Sequence, residues 1–96
     1  MTRLKERQVI GIPCDVSRGA FPDERLITME TISGPISGFV RQDAIIEVQG
    51  KTYVSGVIID ISEDSIAVRV RGSFFTTTGL AYLSKEWAAS NVREAV

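Results

Sequence analysis

The stretch from Ala44 to Arg71, A-I-I-E-V-Q-G-K-T-Y-V-S-G-V-I-I-D-I-S-E-D-S-I-A-V-R-V-R, decides the fold class. It holds three runs in which β-branched and other apolar residues dominate, and such runs are typical of strands. Gln49 and Gly50 separate the first two runs, and glycine supplies the positive φ that a two-residue hairpin turn needs. The polar segment 62–65 separates the second run from the third. The stretch therefore predicts a three-stranded antiparallel meander.

The two turns also predict the pairing of the strands and their two faces. The expected partners are Val48 with Lys51, Ile46 with Tyr53, Ile61 with Ile66, Ile59 with Val68 and Val57 with Val70. Because successive side chains of a strand point to opposite faces, one face becomes a core face. This predicted core face contains Ile46, Tyr53, Val57, Ile59, Ile61, Ile66, Val68 and Val70. The opposite face is mixed and contains Ile45, Glu47, Val54, Ile58, Asp60, Ala67, Arg69 and Arg71.

The rest of the chain predicts further strands at 7–13, 26–32 and 36–42, with a long loop at 14–25. Gly38 inside the third of these strands indicates a bulge or a bend. Ser84 is suited to cap a short C-terminal helix within 84–95, and residues 1–6 form a charged N-terminal arm. We therefore expect residues 1–96 to be one all-β domain. Its predicted form is a small SH3-like or Sm-like antiparallel β-barrel of five to seven short strands, with a short C-terminal helix.

Composition argues against several kinds of chemistry. The chain has no histidine, which excludes imidazole bases and imidazole metal ligands. Its one cysteine, Cys14, cannot form an internal disulfide, and a lone thiol fits a reducing cytoplasm. The net charge of −1 provides no overall attraction for nucleic acid, and no apolar stretch is long enough to span a membrane. We expect a cytoplasmic protein that is not an enzyme and that holds no metal or cofactor.

Apolar residues on the mixed face point to protein contacts. Ile45, Val54 and Ile58 form a second apolar streak, which either a second copy of the chain or the C-terminal helix, with Trp87, would cover. Phe21, in the long loop, is a further candidate for contacting a protein partner. The first functional hypothesis is therefore a non-catalytic protein-binding or assembly module.

A second hypothesis, nucleic-acid binding, comes from the segment V-R-V-R-G-S-F-F at 68–75. Arg69 and Arg71 alternate along one strand, and Phe74 and Phe75 follow. Basic side chains beside exposed aromatic rings hold single-stranded RNA or DNA by phosphate contacts and base stacking. Arg69 also lies diagonal to Asp60 in the predicted meander, where the two charges can pair.

A third hypothesis comes from two short motifs. R-L-K-E-R at 3–7 and D-I-S-E-D-S at 60–65 occur in the order in which bacterial PilZ domains carry Arg-x-x-x-Arg and Asp/Asn-x-Ser-x-x-Gly. The chain resembles these small β-barrels, which are receptors for a cyclic dinucleotide. The resemblance implies that Arg3 and Arg7 grip phosphate and guanine, and that Asp60 and Ser62 complete the pocket.

Overall fold

The structure is a computed structural model that describes residues 3–75 and 79–94. Within these residues the chain is mostly strand, and every strand pairing is antiparallel. The strands are β1 (Val9–Pro13), β2 (Asp15–Arg18), β3 (Glu24–Thr31), β4 (Gly34–Arg41), β5 (Ile45–Val48), β6 (Lys51–Ile61), β7 (Ser65–Arg69), β8 (Ser73–Phe74), β9 (Leu80–Ser84) and β10 (Arg93–Glu94). The predicted all-β class and antiparallel pairing are confirmed. The described residues hold more strands than the five to seven expected, because several are only two to five residues long.

Two sheets share one hydrophobic core. The larger sheet has the order β10-β1-β6-β7-β9, with β5 also paired to β6, and the smaller has the order β2-β3-β4-β8. The chain passes from the larger sheet to the smaller at Cys14, whose amide donates to the Thr52 carbonyl at 3.1 Å. Both sheets contribute to the buried core, which consists of Ile10, Ile12, Ile27, Met29, Val40, Val54, Ile58, Ile66, Val68, Val70, Ala81, Leu83, Ala88 and Val92.

The predicted β5–β6 hairpin is confirmed in its register. Val48 pairs with Lys51 and Ile46 pairs with Tyr53. Gln49 and Gly50 both have positive φ, 52° and 80°, which is the conformation that a tight hairpin turn requires at its two central residues.

A bulge at Ile59 changes the register between β6 and β7. Ile61 pairs with Ile66 as expected, but Val68 lies opposite Ile58 rather than Ile59. A bulge places one extra residue in one strand, so the pairing before it shifts by one position. The predicted pair of Ile59 with Val68 is therefore wrong.

The same shift exchanges the inner and outer sides predicted for β6 next to the bulge, whereas Tyr53, also predicted to face the core, is buried. Val54 and Ile58 are fully buried, whereas Val57 and Ile59, which were predicted to face the core, are 36% and 40% exposed. Because the side-chain period of a strand is two, a displacement of one residue exchanges its inner and outer sets. The β7 prediction holds, since Ile66 and Val68 are buried.

The loop predicted at 14–25 is largely replaced by a hairpin. β2 pairs with the start of β3, from Asp15 opposite Thr28 to Arg18 opposite Arg25, and leaves residues 19–23 as the tip. Gly38 makes neither a bulge nor a bend, since β3 and β4 pair without a break from residue 24 to residue 41. A Cβ at Gly38 would lie 2.6 Å from Phe74 Cδ2, so glycine leaves room for that ring.

The C-terminal helix is confirmed but is shorter than predicted. Helix α1 spans Lys85–Asn91, and the Ser84 hydroxyl accepts a hydrogen bond from the Trp87 amide at 3.2 Å. Arg93 and Glu94 then form β10 against β1, and residue 95 lies outside the described residues. No helix in the described part of the chain is long and apolar enough to cross a membrane.

Candidate functional site

The three residues predicted as an apolar contact surface lie inside the molecule. Val54 and Ile58 are fully buried, and the half-buried Ile45 packs against the same core. Their burial leaves no surface at which a second copy of the chain could cover them, because the bulge at Ile59 turns their side of β6 inward. Ala88 of α1 belongs to that core and Trp87 packs against it, so cover by the C-terminal helix is the alternative that agrees with this packing.

The other side of the larger sheet exposes a set of apolar side chains, which we call the outer face. Val9 pairs with Val57, Val57 with Arg69, and Arg69 with Leu80, which places one row across four strands. Asp60, Ala67 and Tyr82 form a second row beside it, and the bulged residue Ile59 lies next to Asp60. Residues directly opposite one another share a face of a sheet. The outer face is therefore made of Val9, Val57, Ile59, Ala67, Leu80 and Tyr82, together with Asp60 and Arg69.

Four of its apolar residues are substantially open to solvent. The exposed fractions are 38% for Val9, 36% for Val57, 40% for Ile59 and 52% for Tyr82. A single exposed apolar residue is ordinary on a protein surface, whereas a contiguous group marks a contact site. These four side chains lie on three strands of one sheet: Val9 on β1 and Val57 and Ile59 on β6, which pair with each other, and Tyr82 on β9, which β7 separates from β6.

The outer face also carries two opposite charges that do not pair with each other. Asp60 and Arg69 are both exposed. Within the described residues the one ion pair joins Arg41 Nε to Asp43 Oδ2, at 3.6 Å. The predicted pairing of Asp60 with Arg69 is therefore absent, and both side chains remain available to a partner.

The structure separates the two phenylalanines predicted to bind nucleic acid. Phe74 is half-buried, packs against the core and fills the space above Gly38. Phe75 is 63% exposed and contacts Phe39 edge to face, with 5.5 Å between ring centroids. Only Phe75 is therefore placed to stack on a base.

The two arginines of the same prediction lie on different surfaces. Arg69 belongs to the outer face of the larger sheet. Arg71 lines a groove of about 550 Å³ together with Phe39 and Arg41. Three carboxylates line this groove as well, those of Asp23, Glu24 and Asp43. Its negative charges outnumber its positive ones, which weakens the attraction for phosphate.

The N-terminal arm lies along the strand that carries Asp60. The Arg7 amide donates to the Ile58 carbonyl at 2.6 Å, and the Ile58 amide donates to the Gln8 carbonyl at 3.0 Å. Arg7 has a φ of 67°, which turns the arm as it enters β1. The first PilZ-like motif is thus adjacent in space to the strand of the second.

The side chains of the two PilZ-like motifs do not line one cavity. Arg3, Lys5 and Arg7 line a concavity of about 540 Å³, and neither Asp60 nor Ser62 belongs to its wall. Ser65 also occupies the position at which the PilZ motif has glycine. The arm therefore forms a basic concavity of its own.

Phe21 lies at the tip of the β2–β3 hairpin and is 66% exposed. The tip is held by the Ala20 amide, which donates to Glu24 Oε1 at 3.0 Å, and by Arg25, whose Nη1 donates to the Pro22 carbonyl at 2.8 Å. Phe21 thus stands exposed on an ordered turn, and its contact with a protein partner stays a prediction.

The Cys14 thiol is held in its protonated form. Partial burial and, to a smaller extent, the negative charge of Asp15 together raise the pKa of Cys14 to about 11. A thiol of this kind is a poor nucleophile at neutral pH. Across residues 3–75 and 79–94, no three His, Cys, Asp or Glu side chains are grouped closely enough to hold a metal ion.

Comparison of the chain with models of protein families, with curated proteins and with solved structures found no match. The inference of function therefore depends on the surfaces described above. Sequence reasoning missed Val9, Val57, Ile59 and Tyr82 as surface residues. One signal was available in Gly56, since a Cβ there would lie 2.7 Å from Val68 Cγ1 and glycine marks the crowded inner side of β6.

Proposed function

We propose that the protein is a non-catalytic assembly module that binds a second copy of itself through the outer face. The observation that carries this proposal is the exposure of Val9, Val57, Ile59 and Tyr82 on one side of the larger sheet. Burial of apolar surface drives most protein association. A second copy is the partner that best fits, because the face combines exposed apolar side chains with one charge of each sign and can therefore complement itself.

A two-fold symmetric contact satisfies both charges. In such an interface the same patch is used by both copies, so a residue of one copy meets a different residue of the other in a reciprocal pair. Asp60 of each copy can then meet Arg69 of its partner. Both side chains are exposed and make no ion pair with any residue that the structure describes, so neither has to break such a contact first.

The size of the face predicts a weak association. Its four strands lie about 4.8 Å apart, which makes the face roughly 15–20 Å wide. A standard interface buries about 800 Å² on each partner, which is about an eighth of the 6219 Å² surface of this chain. The outer face is smaller than that, so we expect a dissociation constant on the order of 10 µM to 1 mM.

Sedimentation velocity over a wide range of protein concentration tests this proposal. We expect the average mass to rise towards that of a dimer, and the double variant Ile59→Ser with Tyr82→Ser to remain a monomer. The matched control, Phe21→Ser with Phe75→Ser, removes two exposed aromatic rings outside the face and should associate like the wild type. A monomer at every concentration, or equal loss in both variants, contradicts the proposal.

A charge exchange tests the two-fold arrangement. Asp60→Arg alone places four like charges in the symmetric contact and should weaken association, whereas Asp60→Arg combined with Arg69→Asp should restore it. If the exchanged variant stays as weak as the single one, the two residues do not meet across the interface.

A second candidate function is binding of a phosphate-bearing nucleotide by the N-terminal arm. The convergence of Arg3, Lys5 and Arg7 on one concavity favours it, since three cations face one carboxylate, Glu94. The PilZ resemblance makes a cyclic dinucleotide the first probe. Calorimetric titration should show binding that Arg3→Ala with Arg7→Ala removes, and heats at the level of dilution would refute it.

Binding of single-stranded RNA or DNA through Arg71 and Phe75 is a third proposal, supported by the exposed ring of Phe75 and opposed by the carboxylates beside Arg71. Fluorescence anisotropy of a labelled single-stranded RNA, at low and moderate salt, tests it directly. Salt-sensitive binding that is lost in Arg71→Ala would support it, and absence of binding at low salt would exclude it.

The SH3-like or Sm-like barrel remains our proposal for the finer architecture. Two contacts support it. The chain crosses between the sheets at Cys14, and the amide of Ile32, in the turn that follows β3 of the smaller sheet, donates to the Tyr82 carbonyl of β9 at 2.9 Å. These two contacts join the sheets at separate places.

A further inference from the structure

Two cavities meet at Trp87, on the part of the surface where α1 lies against the end of β3. The larger cavity, of about 550 Å³, is bordered by α1, β3, the β1–β2 corner and the β5–β6 turn. The smaller cavity, of about 280 Å³, lies between the end of β3 and the junction of β9 with α1. Glu30 and Trp87 line both cavities, so the indole ring forms a shared wall.

The charges that line the larger cavity favour a cation. The carboxylates of Asp15 and Glu30 face it, against the single ammonium group of Lys51. Within the described residues neither carboxylate makes an ion pair, so both are available to a ligand.

Tyr53 adds a hydrogen-bonding group to the wall of the larger cavity. Only 9% of its surface is exposed, and its hydroxyl makes no hydrogen bond within the described residues. No buried side-chain oxygen or nitrogen of these residues lacks a partner, so the hydroxyl must reach open space, and the cavity that Tyr53 lines provides it. A hydroxyl on an otherwise buried ring is a fixed hydrogen-bonding group for whatever enters.

The smaller cavity has a different character. Ile32 and Leu83 line it, together with the indole of Trp87, and most of its wall is apolar. Ile32 is itself 57% exposed at the rim. An apolar side chain placed here would be shielded from water by three apolar groups.

We propose that the two cavities together form a binding site for a peptide in which an arginine is followed by an apolar residue. The guanidinium enters the larger cavity, where it stacks on Trp87 and pairs with Asp15 and Glu30. The apolar side chain enters the smaller cavity beside Ile32 and Leu83. Arginine fits better than lysine, because its planar group can stack on an aromatic ring and bind carboxylates through several N–H groups at once.

The site differs from the outer face in its residues and in its ligand. Asp15, Glu30 and Trp87 do not belong to the outer face, and the ligand is a foreign peptide rather than a second copy. Trp87 is the only tryptophan of the chain, so emission excited selectively in the indole reports on the shared wall. A change in tryptophan emission therefore tests the site directly.

The test titrates the purified protein with the end-blocked peptide Ser-Arg-Leu-Ser. Two matched peptides replace the arginine by glutamate and the leucine by serine. We expect a saturable change in emission with the first peptide and at least about tenfold weaker binding of each matched peptide, because each removes one of the two complementary contacts. A lysine peptide should bind more weakly than the arginine peptide and saturate.

Protein variants supply the control. Asp15→Asn with Glu30→Gln should weaken binding at least about tenfold, whereas Glu47→Gln with Glu63→Gln removes the same number of charges from outside both cavities and should have no effect. Ile59→Ser with Tyr82→Ser should bind the peptide normally, which separates this site from the self-association surface. Equal binding of the glutamate peptide, no saturable change, or full binding by the Asp15→Asn with Glu30→Gln variant overturns the proposal.

Discussion

Replacing Ile58 and Ile59 one at a time by alanine distinguishes the bulged register from the regular one. The two residues are neighbours in sequence and chemically identical, so any difference between the variants reports on which of them faces the core. Ile58 is fully buried, and Ile59 is 40% exposed. The uninterrupted alternation of the sequence predicts the opposite assignment.

The expected cost of Ile58→Ala is large. The substitution removes three buried carbon atoms from the core. At about 0.8 kcal/mol of transfer free energy per carbon atom, their loss costs about 2.4 kcal/mol. A residual cavity of up to about 80 Å³ would add at most about 2 kcal/mol, depending on how far the neighbours relax. We expect the free energy of unfolding to fall by about 2.5–4 kcal/mol.

Ile59→Ala should cost much less. Roughly three-fifths of this side chain is buried, which scales the transfer cost to about 1.4 kcal/mol at most, and water fills the vacated space so that no cavity remains. Urea denaturation at low protein concentration, where the chain is monomeric, measures both values with a common slope. If Ile59→Ala proves as costly as Ile58→Ala, or costlier, the bulge and the face assignment derived from it are wrong.

Three further predictions concern single contacts. Gly38→Ala should lower the free energy of unfolding by about 1–3 kcal/mol, because a Cβ would lie 2.6 Å from Phe74 Cδ2, and unchanged urea stability would show that the ring lies elsewhere. Ser84→Ala should lower the free energy of unfolding by about 1 kcal/mol, because it removes the hydroxyl that accepts from the Trp87 amide. Ser84→Asp supplies another acceptor and should largely retain stability, and thermal unfolding of the two variants compares them. The rate at which iodoacetamide alkylates Cys14 should rise with pH up to about 11, and Asp15→Asn should shift that rise to lower pH. Because the folded pKa of Cys14 lies above its ordinary value of 9.0, the contribution of this thiol to stability is complete below pH 9.0 and is lost as pH rises through about 11. A free energy of unfolding that stays constant across that range would contradict the shift.

The parts of the fold that local pattern controls were predictable. The β5–β6 hairpin follows from a Gln-Gly turn between two apolar runs, since backbone conformation at the turn sets the register of the strands beside it. The cap at Ser84 is likewise local, because its partner is the amide three residues ahead. β2 was missed because its four residues include two charges, and only pairing with β3 makes them a strand.

The sequence predicted an apolar surface as the candidate site but assigned it to the wrong residues. An apolar surface on the central meander was expected, but at Val54 and Ile58 rather than at Val57 and Ile59. The error has a single cause, the extra residue at the bulge, because one inserted position exchanges every inner and outer side chain before it. Arg69 and Arg71, which were predicted to share a face, lie on different surfaces because β7 ends at Arg69 and the chain leaves the sheet before Arg71.

The sequence alone determined that this chain is an all-β protein with a tight central hairpin and a capped C-terminal helix, because turns, caps and strand preference depend on residues close together in the chain. Only the tertiary structure decided which side of β6 faces the core, and which charges and rings share a surface. Those outcomes depend on contacts between residues far apart in sequence. The packing of Ile58 in the core that both sheets share is such a contact, and it is compatible with the chain only if Ile59 bulges.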